Sequence, residues 1–368
     1  MLHYNICEFL FAGVVPMTGL KFRNAAPVAG AAFAALAVAA FAAGAAAPAY
    51  AEAPRVVATI KPIHALAAAV MDGVGTPALL TRGTTSPHGI NLKPSQARML
   101  AQARVVIWIG PALELAIAKP VRNLAGKAVS VALQDAPGVR LLKLREGGLW
   151  EEHDHGDHDD HGDHGHGHKD DDHKGHDDHG HKDDNHKGHD DHDGERADVD
   201  AHIWLDPQNA IAMTRAIAEA LARADAPNAA TYRANAAASI SRLKALDAEI
   251  AKALRPVRGK RYIVFHDAYQ YFEKRYRLTP AGSVTVDPHR APSPRRLYDI
   301  RTRILERRVS CVFREPQFEP KIVNVLVRGT SAKVGTLDPV GAGLPAGKNA
   351  YATLLRRLAA GLRACLAG

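Results

Sequence analysis

The chain has 368 residues, of which 46% are apolar and 23% charged, and its formal net charge at neutral pH is +8. That length suits two globular domains of ordinary size, and three cysteines are too few for a disulfide-dense miniprotein or a cysteine-based zinc finger. The charge is unevenly distributed: residues 151–195 contain 14 His, 18 Asp or Glu and 4 Lys, a formal charge of −14, so the other residues carry +22. The basic pI alone therefore does not indicate a protein that binds nucleic acid.

Residues 1–51 are typical of a cleavable secretory signal, with Met17 as the expected true start. Two basic residues precede an Ala-rich apolar stretch over about 25–47, and small residues lead up to an expected cleavage after Ala51. A membrane anchor is the alternative, but the stretch is only weakly hydrophobic. We expect the mature protein, residues 52–368, to be exported to the periplasm.

The first part of the mature chain alternates short apolar runs with amphipathic helical patterns, which is typical of βα units and a mostly parallel sheet. The predicted strands are 55–60, 78–81, 105–109 and 128–131, and the predicted helices are 62–72, 94–103 and 111–123. This part, residues 52–206, is predicted to be an N-terminal α/β lobe.

Within that lobe, the segment 151–195 is too polar to bury a core and is expected to be disordered without metal. Imidazoles beside many carboxylates form weak, exchangeable metal sites, so we interpret the segment as a zinc-collecting loop; a neutral solvated loop is the alternative. The auxiliary ligands would be its 14 histidines: His153, His155, His158, His161, His164, His166, His168, His173, His176, His179, His181, His186, His189 and His192.

After the insert, a strand over 201–205 and a helix over 207–223 are predicted, followed by a long helix over 227–254. The apolar residues of the long helix recur at steps of three and four and form one continuous stripe. At 1.5 Å per residue this helix is about 42 Å long, which favours a strut that spans two lobes. We assign residues 207–256 to these connecting helices.

The βα alternation then resumes over residues 257–368, the predicted C-terminal lobe. The expected strands are 261–265, 283–286, 309–313 and 333–336, and the expected helices are 267–276, 293–308, 319–329 and 349–366. The sequence thus predicts an α/β protein with two lobes, each a mostly parallel sheet flanked by helices. One long rigid helix joins the lobes, and the functional site lies in the cleft between them, beyond the carboxyl ends of the strands.

Two cysteines remain in the mature chain, Cys311 in a buried apolar run and Cys365 near the end of the last helix. In an oxidising compartment such a pair is expected to form a disulfide; two unpaired buried thiols are the alternative. The closed loop would stabilise the fold by about 4 kcal/mol in the chain-entropy treatment.

Four candidate metal ligands occupy matching positions at strand ends in both lobes. They are His88, His202, His266 and Asp338. A single histidine at a strand end is more often structural, but three imidazoles and one carboxylate that converge on a cleft suit tetrahedral Zn²⁺. A zinc-dependent hydrolase is less consistent with the sequence, because no HExxH or similar pairing of ligand and base is present.

The segments around these residues resemble the zinc-binding subunit of bacterial ABC importers, the ZnuA type of periplasmic solute-binding proteins. The resemblance covers essentially all of residues 52–368, and the acidic His-rich insert is itself a mark of the zinc members. The matching segments are SPHGINLKPSQ, DAHIWLDPQNA, YIVFHDAYQYFEKRY, CVFREPQF and GTLDPVG.

The resemblance implies a non-catalytic, monomeric protein that binds Zn²⁺, binds no nucleic acid, and passes the ion to a membrane permease with a cytoplasmic ATPase. It places the metal ligands at His88, His202 and His266, with Asp338 at the position of a fourth carboxylate. Manganese members usually have a carboxylate where His266 stands, so zinc is favoured over manganese or another divalent metal. Some relatives have an acidic residue before the first ligand, but here it is Pro87, which leaves Asp338 or a water as the fourth ligand. The Cys311–Cys365 pair also resembles the disulfide of this subfamily.

Overall fold

The computed structural model describes residues 53–81, 83, 85–146, 150, 198–285, 291–319 and 321–367. The predicted signal peptide and the His-rich insert 151–195 both lie outside these residues. The described residues, 53–367 with the gaps given above, form one compact unit, and no helix among them is long and apolar enough to cross a membrane.

The N-terminal half contains one four-stranded parallel sheet with strand order β2-β1-β3-β4. Strands β1 and β3 are buried along their whole length, as expected for central strands that helices cover on both faces. The elements are β1 Val56–Ala58, α1 Lys61–Val70, β2 Ala78–Leu79, α2 Pro94–Ala101, β3 Val105–Trp108, α3 Pro111–Leu124 and β4 Val129–Ala132.

The C-terminal half repeats this arrangement with strand order β6-β5-β7-β8, again all parallel. The elements are β5 Arg261–His266, α6 Gln270–Tyr276, β6 Thr279–Thr285, α7 Pro294–Glu306, β7 Cys311–Arg314, α8 Lys321–Val327, β8 Lys333–Thr336 and α9 Ala350–Leu366. A disulfide joins Cys311 to Cys365, with 6.1 Å between their Cα atoms, and so attaches α9 to the sheet. The predicted α/β class with two parallel sheets is confirmed.

Between the two sheets lie α4, Pro207–Ala224, and the long helix α5, Ala229–Leu254. The 26 residues of α5 span about 39 Å. Its buried stripe runs from Tyr232 to Leu254 and packs against α1 of the first half and α9 of the second.

One hydrophobic core runs through both halves of the molecule. It includes the inner faces of both sheets together with α1, α4, α5 and α9, while each sheet has a smaller core on its outer face. The two halves therefore share a packed core as well as a connecting helix. A close-packed core of this kind resists hinge motion between the halves.

The local structure differs from the predicted elements at one place that matters for the site. The predicted strand 201–205 is instead a loop that leads into a 3-10 turn, Ile203–Leu205. The side chains of this apolar run are buried, but no neighbouring strand pairs with it in the described part of the chain. The run is apolar because it fills the core, which periodicity alone cannot distinguish from a buried strand.

Candidate metal centre

Three histidines from three different backbone settings lie close to one another. His88 lies in a 3-10 turn, Pro87–Gly89, where the backbone N–H of His88 donates to Ser86 Oγ at 3.4 Å. His202 precedes the turn Ile203–Leu205, and His266 is the last residue of β5. Two of the three are therefore held in short turns rather than in regular elements.

The three imidazoles point their Nε2 atoms at one another. His88 Nε2 lies 3.1 Å from His202 Nε2, and His202 Nε2 lies 3.3 Å from His266 Nε2. Zn–N bonds of 2.0–2.1 Å in a tetrahedron place neighbouring nitrogens about 3.3–3.4 Å apart. In the described part of the chain, these histidines form a group whose possible ligand atoms all lie within 4.8 Å of one another. The spacing fits one tetrahedral ion.

Buried carboxylates contact the Nδ1 atoms of two of the rings, on the side away from the cluster. His202 Nδ1 lies 2.8 Å from Asp200 Oδ1, and His266 Nδ1 lies 2.7 Å from Glu315 Oε1. An ionised carboxylate only accepts hydrogen bonds, so Nδ1 carries the proton and Nε2 presents a lone pair to the cluster. Lone pairs that face each other at about 3 Å favour a cation between them, and carboxylate–histidine pairs of this kind orient metal ligands.

The electrostatics of the cluster follow from its burial. Burial, with the charge of a protonated His266, lowers the pKa of His202 well below its ordinary value, which keeps its lone pair available. Burial also opposes protonation of His266, but the carboxylates of Glu315, Asp267 and Asp200 outweigh it and raise the pKa of that imidazole. The pKa of Asp200 itself is raised to about 7 by burial, which the backbone N–H of His202 partly offsets. A bound cation would favour the ionised form of these carboxyl groups.

A small cavity of about 10 Å³ adjoins the three rings, which is the room for one water-sized particle. It is lined by side chains from both halves of the molecule. The lining residues are Ser86, Pro87, His88, His202, His266, Glu315, Gln317, Phe318, Pro339 and Val340.

Asp338 is not brought into this group. Its Oδ1 accepts the side-chain amide of Gln317 at 2.7 Å and the backbone N–H groups of Gly341 and Val340 at 2.9 and 3.3 Å. It therefore caps its own loop as an Asx turn, for which an Asp-Pro-x-Gly sequence is well suited. Asp338 is not among the residues that line the cavity, but it contacts two that are, Gln317 and Val340.

The described segments on either side of the His-rich insert lie beside the candidate metal centre. Residues 142–144 and 198–200 form a short antiparallel ladder in which Leu144 N–H donates to Asp198 O and Asp200 N–H donates to Leu142 O, both at 2.8 Å. Helix α6 binds this ladder, since the Tyr271 hydroxyl donates to Asp200 O at 2.8 Å. The ladder thus positions Asp200 beside His202.

Arg145, next to the ladder, forms ion pairs with two buried carboxylates of the C-terminal half. Its Nε donates to Asp267 Oδ2 at 2.9 Å and its Nη1 to Glu273 Oε2 at 2.7 Å. Sequence reasoning did not find Arg145, Asp200, Glu315 or Gln317. Asp200 stands two residues before a candidate ligand and was detectable. Glu315 lies far from His266 in sequence and meets it only in the folded chain, and Gln317 lines the same cavity as His266.

The structure describes one further histidine, His64, and it is not part of the cluster. His64, in α1, is buried and pairs through Nε2 with Pro77 O at 2.9 Å, consistent with a structural role. The 14 histidines of the insert lie outside the described residues.

Comparison with known proteins identifies the family of the chain. The family model of the periplasmic zinc-uptake complex component A, ZnuA, matches residues 56–365. The high-affinity zinc uptake system protein ZnuA of Brucella abortus is 49% identical over 311 residues, covering 84% of this chain and 91% of the relative. The protein of the same name from Yersinia pestis is 36% identical, with the same coverage of both chains.

Solved structures show the same fold at lower identity. A crystal structure of ZnuA has a TM-score of 0.63 at 22% identity and covers 84% of this chain and 99% of that one. The periplasmic zinc-binding protein TroA from Treponema pallidum has a TM-score of 0.66 at 18% identity and covers 85% and 99%. By the extent of the family match and the identity to its curated members, the chain belongs to the ZnuA family.

Proposed function

We propose that this protein is the periplasmic zinc-binding component of a high-affinity zinc importer. Three inward-facing Nε2 atoms at 3.1 and 3.3 Å carry the proposal, and the zinc-uptake names of its curated relatives support it. In this account His88, His202 and His266 bind one Zn²⁺, and the cleft passes it to an ABC permease that a cytoplasmic ATPase drives.

The donor set favours zinc over manganese. Three imidazole nitrogens are softer ligands than carboxylates, and imidazole suits Zn²⁺ whereas oxygen ligands suit Mn²⁺ and Mg²⁺. The two nearest carboxylates, Asp200 and Glu315, bind the Nδ1 atoms behind the rings and so strengthen the imidazoles as donors.

A zinc hydrolase is the second candidate, because zinc with three histidine ligands also occurs in enzymes. A hydrolase needs space for a substrate beside the ion. The cavity beside the rings measures about 10 Å³, far below the roughly 300–1,000 Å³ of ordinary ligand pockets, which favours a carrier.

We further propose that residues 1–51 are a cleaved signal peptide and that the mature protein acts as a monomer. The insert 151–195 would bind several additional Zn²⁺ ions weakly and collect metal near the cleft. Its sites would be weaker than the cleft, because an unstructured segment loses chain entropy when it orders around an ion.

The proposal is tested by calorimetric titration with Zn²⁺ and with Mn²⁺, on the full-length protein and on a variant that lacks 151–195. We expect one tight zinc site in both proteins, additional weak sites only in the full-length protein, and much weaker binding of Mn²⁺. Equal affinity for both metals, or loss of the tight site on deletion, would contradict it. In cells, the wild-type gene but not His202→Ala should restore growth of a strain that lacks this protein at limiting zinc.

A further inference from the structure

Gln270, the first residue of α6, bridges the two strands of the ladder that flanks the His-rich insert. Its side-chain Nε2 donates to Lys143 O on the first strand at 3.0 Å and to Asp200 Oδ2 on the second at 3.3 Å. A backbone carbonyl can only accept a hydrogen bond, so the NH₂ group of Gln270 must face the ladder. The two protons of this group match the two acceptors.

The neighbouring residue, Tyr271, contacts the same two strands. Its hydroxyl accepts the Leu142 N–H at 2.9 Å and donates to Asp200 O at 2.8 Å. Gln270 and Tyr271 are 1% and 2% exposed, so both side chains are held inside the protein. Of the two, Tyr271 binds the backbone of Asp200, whereas Gln270 binds its carboxylate.

The two oxygens of the Asp200 carboxylate have different partners. Oδ1 lies 2.8 Å from His202 Nδ1 and accepts the His202 backbone N–H at 3.0 Å, while Oδ2 accepts from Gln270. The terminal torsion of an aspartate is broad, and a buried acceptor that loses its donor is costly to leave unpaired. Without Gln270, the carboxylate would therefore rotate more freely, and its contact with the His202 ring would loosen.

Gln270 also lies close to a second candidate ligand along the chain. It follows His266, the last residue of β5, by four positions. The connection is tight, because the Ala268 N–H donates to His266 O at 2.8 Å. The segment that carries His266 thus also holds the carboxylate that orients His202.

We propose that Gln270 is a positioning residue of the metal centre. By holding Asp200 Oδ2, it keeps Asp200 Oδ1 against His202 Nδ1, and the ring stays in the orientation and tautomer that present Nε2 to the ion. Gln270 acts through Asp200 and not by contact with zinc. This inference deepens the proposed function and rests on it, because the ion is the one held by the three histidines.

The test compares Gln270→Met with wild type and with Gln208→Met. Methionine retains the length of the side chain but cannot donate a hydrogen bond. Gln208 is the matched control, because its Nε2 also donates to a buried aspartate, Asp247 on α5, at 2.9 Å. Zinc affinity, measured by competition with a chelator, should fall about tenfold in Gln270→Met, the lower end of the range for outer-shell partners of metal ligands, and stay within about twofold of wild type in Gln208→Met.

A double-mutant cycle tests whether Gln270 acts through Asp200. In an Asp200→Ala background, Gln270→Met should change zinc affinity by less than about twofold, because the carboxylate that it orients is absent. A further loss of about tenfold in that background would overturn the inference. Wild-type zinc affinity in the single variant Gln270→Met would overturn it as well.

NMR of the ring nitrogens in the zinc-free protein gives a readout that a loss of stability would not produce. We expect a single Nδ1–H tautomer for His202 in wild type and in Gln208→Met, and a mixture of tautomers in Gln270→Met. A single Nδ1–H tautomer in Gln270→Met would overturn the inference.

The wild-type protein provides a measurement that does not depend on the folding of a variant. The side-chain amide protons of Gln270 should exchange slowly with solvent, and rapid exchange would overturn the inference. If the wild-type protein does not bind zinc tightly, the proposed function fails, whereas the tautomer of His202 without zinc still decides whether Gln270 orients the ring.

Discussion

Substitution of Asp200 tests whether its carboxylate orients the His202 ring for metal binding. Its Oδ1 lies 2.8 Å from His202 Nδ1 and also accepts the His202 backbone N–H at 3.0 Å. Asp200→Ala removes both contacts, so the ring loses its fixed orientation and its fixed tautomer. Loss of such a partner typically lowers metal affinity 10- to 100-fold, which is about 1.4–2.7 kcal/mol of binding free energy.

The expected effect on stability follows from mass action. At a fixed zinc concentration well above the dissociation constant, the stabilisation by zinc falls by the same 1.4–2.7 kcal/mol or so. A protein of this size responds by about 2 °C per kcal/mol, so the zinc-induced rise in unfolding temperature should shrink by about 3–5 °C in differential scanning calorimetry.

Asp225→Ala is the matched control, because Asp225 is a buried aspartate that accepts the Tyr232 hydroxyl at 2.6 Å and lies between α4 and α5 rather than behind a cluster histidine. It should lower the unfolding temperature without zinc and leave the zinc-induced rise unchanged. If Asp200→Ala retained the full zinc-induced rise, the carboxylate would not orient His202 and the reasoning would be wrong.

Three further predictions concern the fold around the site. Arg145→Met leaves the buried carboxylates of Asp267 and Glu273 without their cation and should lower the free energy of unfolding by about 3–5 kcal/mol in urea; a loss below about 1 kcal/mol would contradict this. Reduction of the Cys311–Cys365 disulfide, which spans 54 residues, should cost about 4 kcal/mol, and unchanged stability would argue against the bond in solution. Burial raises the pKa of Glu114 to about 7, so the folded protein favours the protonated carboxyl. The contribution of Glu114 to the free energy of unfolding is therefore fully present below pH ~4.3 and is lost as the pH rises through about 7. The free energy of unfolding of Glu114→Gln, relative to that of wild type, should therefore rise by about 3 kcal/mol from about pH 4 to about pH 8. If the free energies of unfolding of the two proteins changed with pH in parallel, the predicted titration of Glu114 would be wrong.

The sequence predicted the elements that local patterns encode. The buried runs of β1 and β3, the stripe on α5 and the helix starts at proline all appear near the expected positions. The sequence singled out the three cluster histidines because each was predicted beside a strand end or a helix cap. In the structure His266 ends β5, whereas His88 and His202 lie at short turns.

What the sequence could not show depends on contacts between distant segments. Glu315 lies 49 residues from His266, and no local pattern connects them. The segment 201–205 was predicted to be a strand from its sequence alone. In the structure its apolar residues are buried, but the His202 N–H donates to Asp200 Oδ1 and the segment leads into a 3-10 turn. Asp338 follows a strand end like the histidines, but its carboxylate caps the following loop.

The central claim is that His88, His202 and His266 together hold one zinc ion. The most direct measurement is the zinc-induced shift in unfolding temperature for His88→Ala, His202→Ala and His266→Ala in the insert-deleted protein, with His64→Ala as a control outside the cluster. Zinc at about a thousand times its dissociation constant should stabilise the parent protein by about 4 kcal/mol. We predict that each of the three cluster variants loses most of this shift while His64→Ala retains it. Retention of the full shift in all three cluster variants would contradict the account.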